Sequence, residues 1–172
     1  MADLTTEVNA AIAAAILLNT DEPILERIAL AIKAVLECVT TDNGCKQTIA
    51  DVVRPARLGG FEPRDLLAIL QQEDADESSE PQGGKSWAQT FAVDLIVRPS
   101  ESDSTALDTR INRFRADVEK ALAVDLQFGG LAANAYVRPP EQIISPDGAF
   151  EGVRVRLEVT YRTSETDPYS LR

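Results

Sequence analysis

The most regular alternation of hydrophobic and polar positions lies near the C-terminal end, between residues 152 and 162. The apolar positions are Val153, Val155, Leu157, Val159 and Tyr161, and the polar positions between and after them are Arg154, Arg156, Glu158, Thr160 and Arg162. A period of two places successive side chains on opposite faces of a β-strand. The pattern therefore predicts a strand with one face in the core and one face that carries three arginines and a glutamate.

A second strand is predicted at 87–97, where alternation is present but both sets are largely apolar. One set is Trp87, Gln89, Phe91, Val93, Leu95 and Val97, and the other is Ala88, Thr90, Ala92, Asp94 and Ile96. A strand that is apolar on both faces is typical of the middle of a sheet. Shorter strands are predicted at 49–54, 66–71 and 131–137.

Helical spacing of apolar residues predicts three helices, at about 5–18, 22–39 and 105–124. The first is rich in alanine. Thr20 or Asp21 is expected to cap the second helix, and Thr105 with Asp108 is expected to form a variant of the capping box on the third. Gly129-Gly130 then predicts a turn.

The segment 72–86 combines like charges with proline and glycine, which is the composition of a solvated linker. It is predicted to be a mobile loop. Gly83-Gly84-Lys85-Ser86 lacks the spacing of a phosphate-binding loop and precedes a strand rather than a helix, so it is interpreted as a hairpin connection. The acidic residues of this segment lack the spacing of an EF-hand.

This order of elements predicts an α+β fold, with a mostly antiparallel or mixed sheet of four to five strands and helices on one face. The 172 residues are divided into an N-terminal helical extension, 1–20, and a single domain, 21–172. The small residues of the first helix permit close packing, either on its own domain or on a neighbouring subunit.

Composition narrows the function classes. The chain has no histidine and a net charge of −11, which removes the usual general base and argues against specific binding of nucleic acid. No catalytic, cofactor or metal site is predicted.

The apolar run near residues 10–18 is too short for a bilayer span of about 20 residues, so no membrane contact is expected. Cys38 and Cys45 are expected to be free thiols in a reducing cytoplasm, with a local disulfide as the alternative.

The charged residues are predicted to form a subunit interface rather than an active site. The basic members are Arg154, Arg156 and Arg162, and the acidic members are Glu73, Asp74, Asp76 and Glu77. An arginine stripe of this kind pairs with acids either on a neighbouring strand or on a neighbouring subunit, and the sequence leaves both open. Reversing Arg154 and Arg156 to glutamate is expected to preserve the fold and to weaken assembly.

Several segments in this order resemble the small tail-terminator, or tail-completion, proteins of long-tailed bacteriophages. They are ILERIALAIKAVLE, the strand end VVRP, the strand WAQTFAVDLIVR, RADVEKAL, the Gly-Gly turn, and above all VRVRLEVTYRTSETDPY at the end. The resemblance covers most of the chain after Pro23. The segment 2–20 is an addition to that pattern.

The resemblance implies a structural virion protein, not an enzyme. Tail terminators form a ring, usually a hexamer, on the head-proximal end of the tail tube, where they stop polymerisation and provide the surface for head joining. The implied partners are other copies of the chain, the tail tube protein and a head-completion or neck protein, with DNA passing through the lumen. The implied location is the virion tail, after synthesis in the host cytoplasm. A head-completion or neck connector protein is the first alternative, and a small-ligand-binding protein or enzyme the second.

Overall fold

The computed structural model describes residues 3–54, 65–80, 84–98, 105–145 and 150–171, and within these ranges three helices pack on one mixed sheet. The helices are α1 (Leu4–Leu18), α2 (Ile24–Glu37) and α3 (Leu107–Leu122), with a short 3-10 helix at Thr41–Asn43. The strands are β1 (Asp51–Val53), β2 (Leu67–Glu80), β3 (Gly84–Val97), β4 (Asn134–Val137), β5 (Glu141–Ile144) and β6 (Glu151–Ser164).

The strand order across the sheet is β1-β2-β3-β6-β4, and β5 pairs with β6 alongside β4. Only the β1–β2 pair is parallel. The predicted α+β class, the mixed sheet and the central position of β3 are therefore confirmed. The sequence pattern missed β5, because its four residues follow two prolines and do not alternate between apolar and polar positions.

The core lies between the helices and one face of the sheet. Phe91, Val93 and Leu95 of β3 lie directly opposite Leu157, Val155 and Val153 of β6, and these side chains belong to the core cluster that includes the buried stripes of α2 and α3. Burial of this apolar face confirms the prediction made for the alternating positions of β6.

Helix α1 packs on its own domain, which is the first of the two alternatives left open for it. Its residues Leu4, Val8 and Ile12 are buried in the main core cluster, and most of its contacts are with α2. Ile16 rests on the Gly-Gly turn, where a Cβ added to Gly129 would lie 2.5 Å from the Ile16 Cδ1 atom. Gly129 also has φ +64°, so a side chain there would be both strained and obstructed.

The prediction of a mobile loop at 72–86 is wrong. Residues Gln72 to Glu80 continue β2 and Gly84 to Ser86 begin β3, so the segment forms the outer half of a long hairpin. Residues 81–83, which follow β2 and precede β3 in the chain, lie outside the described residues; they include the first glycine of the predicted hairpin connection. The acidic composition is tolerated because β3 itself pairs along its whole length with β6. Tertiary pairing thus overrides the low strand propensity of aspartate, glutamate and serine.

The predicted helix caps are also wrong. The residues that precede α2 and α3 are Pro23 and Ala106, which have no side chain able to cap. The N–H of Ile24 instead donates to the carbonyl oxygen of Pro168, at 3.2 Å. The C-terminal segment therefore supplies an acceptor for the first turn of α2. No helix of the described residues is long and apolar enough to cross a membrane.

Candidate functional site

The face of the sheet opposite the helices, which we term the open face, is divided into an apolar end and a charged middle. At the apolar end, Leu67, Ile69 and Ile96 form a small buried cluster, with Val53 and Phe150 packed against it. The charged middle begins two residue pairs further along β3 and β6, at Asp94 and Arg154, which form the next pair on this face.

The charged middle is built around two arginines of β6. Arg154 lies directly opposite Asp94 of β3 and forms a two-pronged bond with it, from Nε to Oδ1 at 2.6 Å and from Nη2 to Oδ2 at 2.8 Å. Its Nη1 atom also lies 3.5 Å from Glu73 Oε1. Bidentate pairs between arginine and carboxylate are among the stronger polar contacts in proteins. The side chain of Asp94 is 10% exposed, so this pair is largely withdrawn from water.

Arg156 occupies the next position on the same face. Its Nε atom donates to Glu73 Oε2 at 2.9 Å, and its Nη1 atom donates to Glu141 of β5. Hydrogen bonds to Asp94 raise the pKa of Arg154, and hydrogen bonds to Glu73 and Glu141 raise the pKa of Arg156. The resulting charged cluster, defined by Glu73, Asp94, Glu141, Arg154 and Arg156, joins strands β2, β3, β5 and β6.

Within the chain, Arg154 and Arg156 show the first of the two pairings left open for the arginine stripe. Both arginines bind acids on other strands of the same chain, and Glu73 bridges them. Asp94 and Glu141, which the sequence analysis did not select, are equal members of the cluster. The signal for Asp94 was present in the sequence, since it is an acid within an otherwise apolar central strand.

The other predicted interface residues lie further out on the hairpin. Asp74 and Asp76 are exposed on β2, and Glu77 pairs with Lys85 across the hairpin at 2.8 Å. Arg162 is exposed and lies opposite Ser86 near the end of β6. The structure therefore brings three of the seven predicted residues, Arg154, Arg156 and Glu73, into one cluster. Contact of any of the seven with another subunit stays a prediction.

A buried glutamine shapes β2 beside the cluster. The register of the β2–β3 pair shifts between Gln72 and Ala75, which is the signature of a β-bulge. Gln89 is 3% exposed, and its Nε2 atom donates to the carbonyl oxygens of Glu73, at 2.9 Å, and Asp74, at 3.4 Å. The amide thus satisfies main-chain oxygens that the bulge takes out of the ladder. A glutamine on the core-facing side of β3 was the only sequence signal for this role.

The outer end of the sheet is held by aromatic packing on the side that faces the helices. Trp87 and Tyr161 lie directly opposite each other with ring centroids 6.4 Å apart, and the Trp87 Nε1 atom donates to Thr163 Oγ1 at 3.2 Å. Lys85 lies over the Trp87 ring. Burial raises the pKa of the Tyr161 phenol. These contacts fix the outer half of the hairpin to β6.

The acidic segment after β6 forms a closed turn. Asp167 Oδ1 accepts from the Tyr169 N–H at 3.0 Å, and Asp167 Oδ2 accepts from the Ser170 hydroxyl. The Ser170 and Tyr169 bonds lower the pKa of the Asp167 carboxyl. The turn brings the carbonyl of Pro168 to the start of α2, so this segment links the end of the chain to the helical layer.

A hollow on the open face lies over the charged cluster and has a volume of about 510 Å³. Glu73, Glu141 and Arg156 line it, together with Asp74, Thr90, Arg138 and Pro139. The carboxylates of Glu73 and Glu141 already accept hydrogen bonds from Arg156, so they are engaged in fixing the sheet. No group of three or more cysteines and acids among the described residues has the geometry to hold a metal ion.

Comparison with known proteins adds no identification. No protein-family model matches the chain. A search of curated proteins finds no match to its sequence.

Proposed function

We propose that this chain is a structural virion protein that closes as a ring on the head-proximal end of a phage tail tube. There it ends tube polymerisation and presents the surface to which the head joins. Its partners in this proposal are further copies of itself, the tail tube protein and a head-completion or neck protein. The proposed location is the tail of the virion.

One structural observation carries the assembly part of the proposal. The sheet has two dissimilar edges on opposite sides, namely β2 beyond Ile69 and the line of β4 and β5, and neither edge pairs with another strand of the described residues. A subunit with two different contact surfaces assembles head to tail, and such contacts close into a ring when the rotation between subunits permits. The resemblance of the C-terminal segment to tail terminators then selects the tail end as the place of assembly.

The chemistry of the open face supports a structural role over the enzyme alternative. Its arginines and acids satisfy one another across four strands, as is typical of a framework that must keep its shape. The sequence has no histidine, and the carboxylates of Glu73, Asp94 and Glu141 on this face are already bound by arginine.

The test is assembly of tails with and without the protein. Tube subunits polymerised alone are expected to give tubes of unregulated length, whereas addition of the chain should stop growth and leave the protein at one end only. Electron microscopy of tails that carry a tagged copy locates that end. Tails with no copy at the head-proximal end would contradict the proposal.

A binding experiment with the same protein distinguishes the tail-terminator proposal from the neck-connector alternative. A head-completion protein should bind purified heads at the portal vertex and leave tube length unchanged. Binding to heads in the absence of tails, together with unregulated tubes, would replace the tail-terminator proposal by the connector one.

A further inference from the structure

The two free edges of the sheet are similar in length and different in chemistry. Strand β2 continues from Leu70 to Glu80 beyond the part that β1 covers, and only β3 flanks it there among the described residues. On the opposite side, β4 and β5 lie end to end along β6, joined by the corner Arg138-Pro139-Pro140. Each edge spans about eleven residues, 70–80 and 134–144.

The charges of the β2 edge disfavour the pairing of β2 with itself. Among the positions whose side chains the structure describes, this edge carries four acids and no lysine or arginine, namely Glu73, Asp74, Asp76 and Glu77. Two such edges side by side would place like charges opposite each other, which destabilises a strand pair.

The β4–β5 edge carries one acid, Glu141, and one arginine, Arg138. Arg138 is ion-paired with Glu158 of β6, and Arg115 of α3, which pairs with Glu119, borders the edge. These two arginines and the 61%-exposed Tyr136 line a hollow of about 320 Å³ beside the strand. The exposed aromatic ring and the guanidinium groups are side chains that protein interfaces use more often than the rest of the surface does.

We propose that the outer part of β2 of one subunit pairs, in antiparallel sense, with the β4–β5 edge of a second copy of this chain. This joint depends on the proposed ring for its closure, but the pairing of the two edges is a property of the chain alone. It continues the sheet from one subunit into the next and uses two different surfaces, as a ring requires.

The strand directions give the sense of the joint. Strands β2 and β6 run one way, and β3, β4 and β5 run the other, because each neighbouring pair from β2 onward is antiparallel. In a ring whose axis runs parallel to the strands, these directions are kept. In such a joint, β4 of one subunit lies antiparallel to β2 of the next.

The register within one subunit shows which residues of β2 and β4 lie at the same height along the strand direction. Asp76 lies opposite Ala88, Ala88 opposite Thr160, and Thr160 opposite Asn134. In a joint without stagger, Asp76 of one copy thus comes level with Asn134 of the next.

The same register brings the charged side chains together. Thr90 of β3 and Tyr136 of β4 both lie opposite Glu158 of β6, one on each side of it. Asp74 lies in the bulge of β2 beside Thr90. Asp74 of one copy therefore comes level with Tyr136 of the next, within reach of Arg138. There Asp74 would join Glu158 as an acid beside Arg138, whereas a β2–β2 pair would place acids opposite acids, and this difference sets the choice of partner edge.

The main chain of β4 supports the joint and also limits it. The N–H of Arg138 donates to the carbonyl oxygen of Arg156 at 2.8 Å. Because bonded positions alternate along an antiparallel pair, Ala135 and Val137 direct their N–H and C=O groups away from β6. Strand addition at such an edge gains affinity from main-chain hydrogen bonds. Pro139 and Pro140 have no N–H to donate, so the bonds concentrate on β4 and the joint is short.

Pairs of introduced cysteines test the joint directly. Asp76→Cys and Asn134→Cys are combined in a chain that also carries Cys38→Ala and Cys45→Ala, since these two native thiols are free, and the protein is oxidised at high concentration without tail tubes. The expected product is a ladder of dimers, trimers and larger species, since each copy offers two different ends. Each single variant should remain monomeric, because an unlike joint never brings two copies of the same position together.

A matched control places the second cysteine away from both edges. Asp76→Cys with Glu7→Cys, which is exposed on α1, should give no ladder. Dimers of Asp76→Cys alone would mean that like edges meet, and would overturn the joint. Absence of a ladder from the Asp76–Asn134 pair at the highest soluble concentration would overturn it as well.

Charge reversal supplies a second readout in the same cysteine background. Asp74→Arg alone, or Arg138→Glu alone, should lower the crosslinked fraction about threefold, because a charge pair at an exposed strand edge changes from attraction to repulsion. The two reversals in one chain should restore it. Failure of the combined variant to recover, with the fold intact by circular dichroism, would contradict the charge pairing.

These outcomes are separable from the proposed function. A crosslinked ladder with tails that lack the protein would leave the joint standing and remove the tail-end role. Rings on tail ends that never crosslink through this pair would leave the function standing and remove the joint.

Discussion

Strand β6 presents two faces that are held by opposite kinds of contact. On the helix-covered face, Val155, Leu157 and Val159 are fully buried among aliphatic and aromatic side chains. On the open face, Arg154 and Arg156 keep about a quarter of their side-chain surface in water and are held by three acids from other strands.

The difference concerns what each face requires of its partners. Apolar contacts are non-directional and depend on area and volume, so many partners suffice. The arginines require a carboxylate at a particular place, and breaking one partner leaves the other charge unsatisfied. The covered face therefore gains stability from bulk burial, whereas the open face depends on the register of β2, β3, β5 and β6.

The largest effect is expected from a charge on the covered face. Leu157→Asp places an unpaired carboxylate in the core and should cost several kcal/mol, enough to prevent folding. Circular dichroism during a thermal melt measures this. Thr160→Asp, on the opposite face of the same strand, is the matched control and should still give a cooperative transition. A folded Leu157→Asp protein would show that the core side of β6 is wrongly assigned.

Reversing both arginines should have the next largest effect. With Arg154→Glu and Arg156→Glu, two glutamates would lie beside Glu73, Asp94 and Glu141, so attraction becomes repulsion at partly buried positions. We expect a loss of about 2–4 kcal/mol. The sequence alone predicted an intact fold for this change, and the intrachain pairs alter that expectation. Urea unfolding of the double variant measures this loss of stability. A loss below about 0.5 kcal/mol would show that the arginines behave as ordinary surface residues.

The loss of stability on replacing an acid of the charged cluster should depend on how exposed that acid is. Asp94 is largely buried, whereas Glu141 keeps 59% of its side-chain surface in water. We expect Asp94→Asn to cost about 1–2 kcal/mol, because Arg154 loses its bidentate partner. Glu141→Gln should stay within about 0.5 kcal/mol, as exposed ion pairs contribute little. Equal losses in urea unfolding would show that burial does not rank these pairs.

The smallest expected effect is the pH dependence of stability and reactivity that comes from the thiols of Cys38 and Cys45. Burial raises the pKa of both Cys38 and Cys45, with Glu7 adding to the effect at Cys38 and Asp117 at Cys45. Each thiol therefore favours its neutral form in the folded chain. The associated stability is present below the unfolded pKa of about 8.5 and is lost as the pH rises through the higher folded value.

Alkylation by iodoacetamide at pH 8 checks this expectation. Both thiols should react more slowly in the folded protein than in urea, and Cys45, which is 7% exposed, should react more slowly than the half-buried Cys38. Equal rates in the folded and unfolded chain would show that these positions open freely.

The sequence by itself determined the elements whose signal is local. Alternation placed Val153 to Tyr161 on the core side of β6, and helical spacing located α1, α2 and α3 to within a few residues. Apolar residues on both faces gave β3 its central position. These properties follow from a repeat of two or 3.6 residues within one segment, so no partner needs to be known.

Only the tertiary structure decided which segments meet. Glu73 was part of a predicted loop, and Arg156 was part of a stripe without a defined partner, yet the two are joined across 83 positions of the chain. The acidic end of β2 became a strand because β3, already paired with β6, offered it a full ladder. The short strand β5 likewise exists through β6. Such pairings depend on register between distant segments, whereas hydrophobic periodicity within one segment fixes only the face that each side chain takes and not the partner strand.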